Sequence, residues 1–134
     1  MSKAREEASR WIRQAEDDLR GAEILLKERF YDKACFISHQ VIEKSLKAYL
    51  YFQGEAKVLG HSLLSLCDRT SGYDDSFKAF RKRLKAIEGY YVDTRYPNSI
   101  EDSYIPTEFF EEEDAKDAFT LAGEILSFVR KKID

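Results

Sequence analysis

YDKACFISHQVIEKSLKAYLYFQG, residues 31–54, is the stretch whose reading decides the fold. It reads as one helix of about six turns, opened by the turn signal at Tyr31 and Asp32 and closed by Gly54. Ala34, Ile37, Val41, Ala48 and Phe52 mark one apolar stripe; Phe36, Val41, Leu46, Tyr49 and Leu50 mark another. A helix apolar over more than one face belongs in the middle of a bundle. Its polar side chains fall in one tight group, His39, Gln40, Glu43, Lys44 and Lys47. That group either serves a site or keeps a central helix soluble and in register.

Working outward, residues 3–30 place Ala4, Ala8, Trp11, Ala15, Leu19, Ala22, Leu26 and Phe30 at three- and four-residue steps, the face of a first helix. The short break at Tyr31 and Asp32 makes the first two helices antiparallel neighbours. A loop over 54–60 leads to a short helix over 61–71, with Leu63, Leu64, Leu66 and Cys67 facing inward. A long fourth helix starts near Asp75 or Ser76, either of which can cap it. It carries Phe77, Phe80, Leu84, Ile87 and Tyr91. Residues 92–110 hold no period, and Pro97 and Pro106 exclude a helix interior. So long a connection in a small domain is often functional. Its Tyr96, Ile100, Tyr104, Ile105, Phe109 and Phe110 are expected to pack along the bundle or against a partner. A last helix over 111–132 has acids in its first turn and Arg130, Lys131 and Lys132 in its last, matching the helix dipole. The expectation is an all-α, up-and-down bundle of four long helices plus one short helix, a single domain over 1–134.

Composition narrows the function. The net charge of −3 gives no global attraction to nucleic acid or an anionic membrane. A charged fraction of 35% with few Asn, Gln and Met is a profile shared with heat-adapted proteins. Neither a leader nor a membrane-spanning run is evident, so a cytoplasmic protein is expected. Cys35 and Cys67 sit in apolar helical patterns and read as buried thiols. His39 and His61 lack a Glu three residues before them, and the cysteines lack zinc spacing; no metal, cofactor or phosphate-binding glycine loop is expected. Ser38 and His39 are adjacent on a helix and point apart, so they make no nucleophile–base pair. His39 is expected inside the bundle or at its edge, and His61 at the start of the short helix.

Two charged features remain. Lys78, Arg81, Lys82, Arg83 and Lys85 form a basic face that either is solvated, meets phosphates, or pairs across a homodimer with the acids of 101–117. More specific is Tyr91, Arg95, Tyr96 and Pro97. A guanidinium flanked by aromatic rings suits a phosphate or nucleobase. It suits equally a buried ion pair that pins the loop, for instance to Glu43.

These residues resemble the HEPN domain, named for higher eukaryote and prokaryote nucleotide binding. Four pieces match in order over nearly the whole chain: Ala15, Asp18, Leu19, Ala22, Leu25 and Leu26; the run from Phe30 to Phe36 followed by Gln40, Glu43, Lys44, Leu46, Lys47 and Ala48; Gly60, His61, Ser62, Leu63 and Leu66; and Tyr91, Arg95, Tyr96 and Pro97. The resemblance implies an α-helical bundle that commonly dimerises. It also implies a companion role to small nucleotidyltransferases, sometimes as toxin–antitoxin pairs. Some members are metal-independent ribonucleases with a His beyond a short loop after the Arg. Here the positions that would hold it are Ile100, Glu101 and Asp102. Without an imidazole there, no general acid–base group for 2′-hydroxyl attack is evident.

The expectation is therefore a non-catalytic, homodimeric binding module for a nucleotide-like ligand or a separately encoded minimal nucleotidyltransferase. Arg95, Lys44 and Lys47 would supply positive charge, Tyr91 and Tyr96 stacking surface, and His39 a further contact. One alternative is a ribonuclease in which Glu101, Asp102 or His39 replaces the missing His. The other is a structural assembly protein with an internal Arg95–Glu43 pair.

Overall fold

The computed structural model describes residues 2–101 and 103–134. Among these there is no strand. The chain runs α1 (Lys3–Lys27), α2 (Tyr31–Phe52), α3 (Leu63–Tyr73), a 3-10 segment (Asp75–Phe80), α4 (Arg81–Ile87), α5 (Tyr90–Asp93), a 3-10 turn (Pro97–Ser99), α6 (Pro106–Phe109) and α7 (Glu112–Ile133). The all-α bundle is as expected. No helix among the described residues is long and apolar enough to cross a membrane.

α2 is the axis. Fourteen of its 22 residues are buried, against four of 25 in α1. It packs between α1 and α7 and also touches α3. Small residues allow this close approach: α1 buries Ala8, Ala15 and Ala22, and α7 buries Ala115, Ala118 and Ala122. Ile42, Leu46 and Leu50 fill one side of α2, and Phe77 sits between Tyr49, to which it is tilted, and Phe128, which it meets edge-on.

α1 ends at Lys27, short of the expected 30, because the chain reverses there. Arg29 adopts a left-handed φ of 66°. The Arg29 N–H donates to the Leu26 carbonyl at 3.1 Å, and the Phe30 N–H to Leu25 at 2.8 Å. This is the closure expected of a left-handed helix end. At the other end of α2, Gly54 takes a φ of 98° that favours glycine.

The expected long fourth helix is instead divided. Residues 75–80 are wound as a 3-10 helix under an Asp74 cap, whose carboxylate accepts from the Ser76 N–H at 3.0 Å. α4 then stops before Gly89, and α5 is a single turn. At the break the Glu88 carboxylate reaches to the start of α3 and accepts from the Leu63 and Leu64 N–H groups at 2.8 and 3.3 Å. The apolar stripe survives: Phe77, Leu84 and Ile87 are buried, Phe80 and Tyr91 half-buried. The pattern sets burial here without setting helix continuity. In 92–110, Pro97 and Pro106 each start a short helical turn, where a missing N–H does no harm.

Candidate functional site

Arg95 lies just beyond α5. After its single turn the Thr94 hydroxyl donates back to the Tyr90 carbonyl at 2.6 Å. Arg95 then folds over the same turn, its Nε–H donating to the Tyr91 carbonyl at 2.7 Å. The guanidinium carbon comes to 4.5 Å from the Tyr91 ring centre, 4.7 Å from Phe36 and 5.0 Å from Tyr96. Three rings from α2, α5 and the following loop thus form a tray for one exposed cation. Among the described residues no carboxylate is ion-paired with it. Beside it lies a cavity of about 420 Å3 whose wall includes Asp32, Lys33, Ile105 and Pro106.

The Arg95–Glu43 pair of the structural alternative is not made. Glu43 is buried and bonds to Lys47 Nζ at 3.1 Å. It also accepts from Gln40 at 3.4 Å, and both its oxygens lie 3.1–3.2 Å from His61 Nδ1. Two other expected contacts are also drawn inward. Lys47 is 5% exposed, its ammonium 5.6 Å from the Trp11 ring centre. Lys44 is ion-paired with Asp18 of α1 at the edge of a groove of about 500 Å3, where Arg10 is held by Glu7. Neither Lys44 nor Lys47 reaches toward Arg95 as an unpaired charge.

His39 is fully buried inside the bundle, one of its two expected places, so the expected ligand contact is not open to it; neither ring nitrogen has a hydrogen-bond partner among the described residues. Burial pushes its pKa down to about 4, against the opposing pull of Glu43 and Glu88. It is a neutral core histidine near neutral pH and touches no solvent. His61, expected only to close a helix start, is more than half exposed. Its ring stacks on Tyr91 at 4.2 Å and 12°. The imidazole missing after Arg95 in sequence is thus brought to the same ring from the loop before α3. Of the other acid–base candidates, Glu101 is exposed, and Asp102 lies outside the described residues.

Sequence alone assigns Phe36 and His61 no place beside Arg95. Both lie in the quoted motif stretches, Phe36 closing the turn into α2 and His61 following Gly60. The motif pieces were the available signal; their convergence on Tyr91 is a product of the fold. The basic face is largely neutralised. Arg81 pairs with Asp68 at 2.8 Å, Arg83 with Glu124 at 2.7 Å and Lys78 with Asp75 at 2.7 Å. Among the described residues no three His, Cys, Asp or Glu side chains gather as a metal site.

Comparison with known proteins follows the same line. The sequence model of the HEPN domain matches residues 8–132. A protein of Methanocaldococcus jannaschii, named Putative toxin MJ1304, is 28% identical over 132 residues, which cover 92% of this chain and 86% of the relative. The crystal structure of TT1696 from Thermus thermophilus superposes with a TM-score of 0.87 at 31% identity, covering 94% of this chain and 98% of that one. ST0689, described as an archaeal HEPN homologue, superposes with a TM-score of 0.78 at 30% identity, covering 96% and 98%. Matched over almost its whole length, the chain belongs to the HEPN domain family.

Proposed function

We propose that this HEPN protein is a non-catalytic binding module whose Arg95 tray takes a nucleotide-like ligand. One observation carries the reading: an exposed guanidinium fixed over Phe36, Tyr91 and Tyr96, with no ion-paired carboxylate among the described residues. A cation held by its backbone bond and ring contacts is preorganised for a phosphate, since little side-chain freedom is left to lose on binding. The protein acts as a homodimer and pairs with a separately encoded partner, a minimal nucleotidyltransferase, in a toxin–antitoxin arrangement. The name of the Methanocaldococcus jannaschii relative supports that setting.

Titration calorimetry with ATP, GTP and short oligonucleotides tests the ligand. Heat with wild type and none with Arg95→Ala is the expected result. Silence with every ligand, in a protein shown by sedimentation to be a folded dimer, leaves only the protein-partner role. RNA cleavage by wild type that disappears in Arg95→Ala replaces this reading with the metal-independent ribonuclease.

A further inference from the structure

The three-ring tray makes no use of the cavity beside it. Thr94, Arg95, Pro97, Ile105 and Pro106 lie in the cavity wall, with Asp32 and Lys33 of α2. Most of that wall is apolar, and the Thr94 hydroxyl is already turned to the Tyr90 carbonyl. The surface around it is apolar as well. Lys33 Nζ lies 5.6 Å from the Phe30 ring centre, Tyr104 meets Phe109 edge-on, and Arg95 lies over Tyr96. Phe30, Tyr96, Tyr104, Ile105 and Phe109 are each between 40% and 48% exposed. The loop that carries most of them is held in place. The Glu108 carboxylate accepts from the Ile105 N–H at 3.2 Å, and the buried Phe110 ring lies 5.2 Å from Tyr90. Large apolar side chains gathered on the surface of a fixed loop mark an interaction site, and aromatic residues with Arg dominate such contacts.

Charge narrows the partner. Of the charged groups in the wall, Asp32 is buried and bonds to Lys33 at 3.1 Å. That leaves the positive charge of Arg95, whose guanidinium fork matches a carboxylate. An apolar wall that includes one unpaired cation is complementary to an apolar side chain next to one carboxylate. The chain's own run from Phe109 to Asp114 has that composition, but Phe110 is buried and the residues from Glu112 onward are wound into α7. We infer that the cavity is the docking site for a short segment of a partner protein. One apolar side chain of the segment sits against Pro97, Ile105 and Pro106, and a neighbouring Asp or Glu pairs with Arg95. The inference stands apart from the nucleotide reading, although both ligands use Arg95 and only one can hold it at a time.

Random short peptides displayed on phage and selected against the whole chain test this, with enriched peptides measured by fluorescence polarisation. Enriched sequences are expected to pair an aromatic or aliphatic residue with a neighbouring Asp or Glu. Ile105→Asp, which puts a charge into the apolar wall, lowers their affinity at least about tenfold. Changing the peptide's acid to its amide costs about tenfold against wild type and nothing against Arg95→Ala, the signature of a direct pair. Ile105 and Arg95 are exposed, so both variants fold, and circular dichroism checks this. No enrichment, enrichment of peptides without acids, undiminished binding to Ile105→Asp, or an amide cost that persists in Arg95→Ala overturns the proposal. Enriched sequences that match residues 109–114 assign the cavity to a second copy of this chain and overturn the separate partner.

Discussion

In the C-terminal half of α2 the Lys47 ammonium lies 5.6 Å from the Trp11 ring centre, and near its N-terminal half the Arg95 guanidinium lies 4.7 Å from Phe36. Both are cations over aromatic rings along one helix, and both looked alike as candidate contacts. They differ in what else surrounds them. Lys47 is buried and already neutralised by Glu43, so its charge serves the bundle. Arg95 is exposed, and among the described residues it meets three rings and one backbone carbonyl and no ion-paired carboxylate. A cation beside aromatics marks a binding site only where no carboxylate has taken it first.

The comparison breaks most readily at Glu43. Glu43→Ala leaves Lys47 buried without its counter-charge and is expected to cost about 3–5 kcal/mol in urea unfolding. A loss under about 1 kcal/mol would mean that Lys47 reaches solvent, and the contrast with Arg95 would collapse. Lys47→Met, which removes the charge and keeps the stem, is expected to cost less than Glu43→Ala.

Next in size is a pH effect at the junction of the two clusters, where His39 lies near Tyr91. Its pKa is about 4 in the folded chain and about 6.5 in an unfolded one. Between those values the unfolded state binds more protons, so stability falls as pH falls. The contribution is intact above pH 6.5 and is lost progressively down to pH 4, a drop of up to about 3 kcal/mol. His39→Leu should flatten that window in urea midpoints recorded from pH 7 to pH 4. An unchanged slope in the variant would place the acid sensitivity elsewhere. Asp74 is distinguishable because Lys132 and Ser76 hold its pKa at about 2. Its stabilisation is present above the unfolded value and is lost only as pH falls through about 2, below the His39 window.

Arg95→Ala sharpens the comparison from the other side. An exposed cation over rings contributes about 0.5–1 kcal/mol, so the melting curve should barely move while ligand binding is lost. A melting point lowered as far as by Glu43→Ala would restore the structural reading of Arg95.

How much of this was legible in the sequence differs between the two clusters. The bundle was readable because its pattern is strong: the double stripe of α2 and the alanines of α1 and α7 state which faces are buried. Arg95, Tyr91 and Tyr96 were readable because they are close in the chain. What sequence could not supply is contact across elements. Glu43 is four residues from Lys47 and eighteen from His61, and both bonds form. Nothing local told Arg95 that Glu43 was taken, or put His61 rather than His39 on the open side of Tyr91. The bond from the Glu88 carboxylate to the start of α3 is of the same kind, since it spans 25 residues.

The smallest expected effect concerns the basic face. Arg81 and Arg83 are paired with Asp68 and Glu124, but each of these side chains is close to half exposed. Water screens such pairs, and holding two long side chains in place offsets much of the attraction. Arg83→Ala is expected to cost about 0.2–1 kcal/mol, and less at high salt, and Arg81→Ala to leave the urea midpoint essentially unchanged. Burial thus separates three cation environments in one small bundle: Lys47 shielded and structural, Arg83 paired and nearly neutral in effect, Arg95 unpaired among the described residues and open to a ligand. Oligonucleotide binding that fell in Arg83→Ala as steeply as in Arg95→Ala would put the basic face and the tray on one continuous surface, and the distinction by pairing would fail.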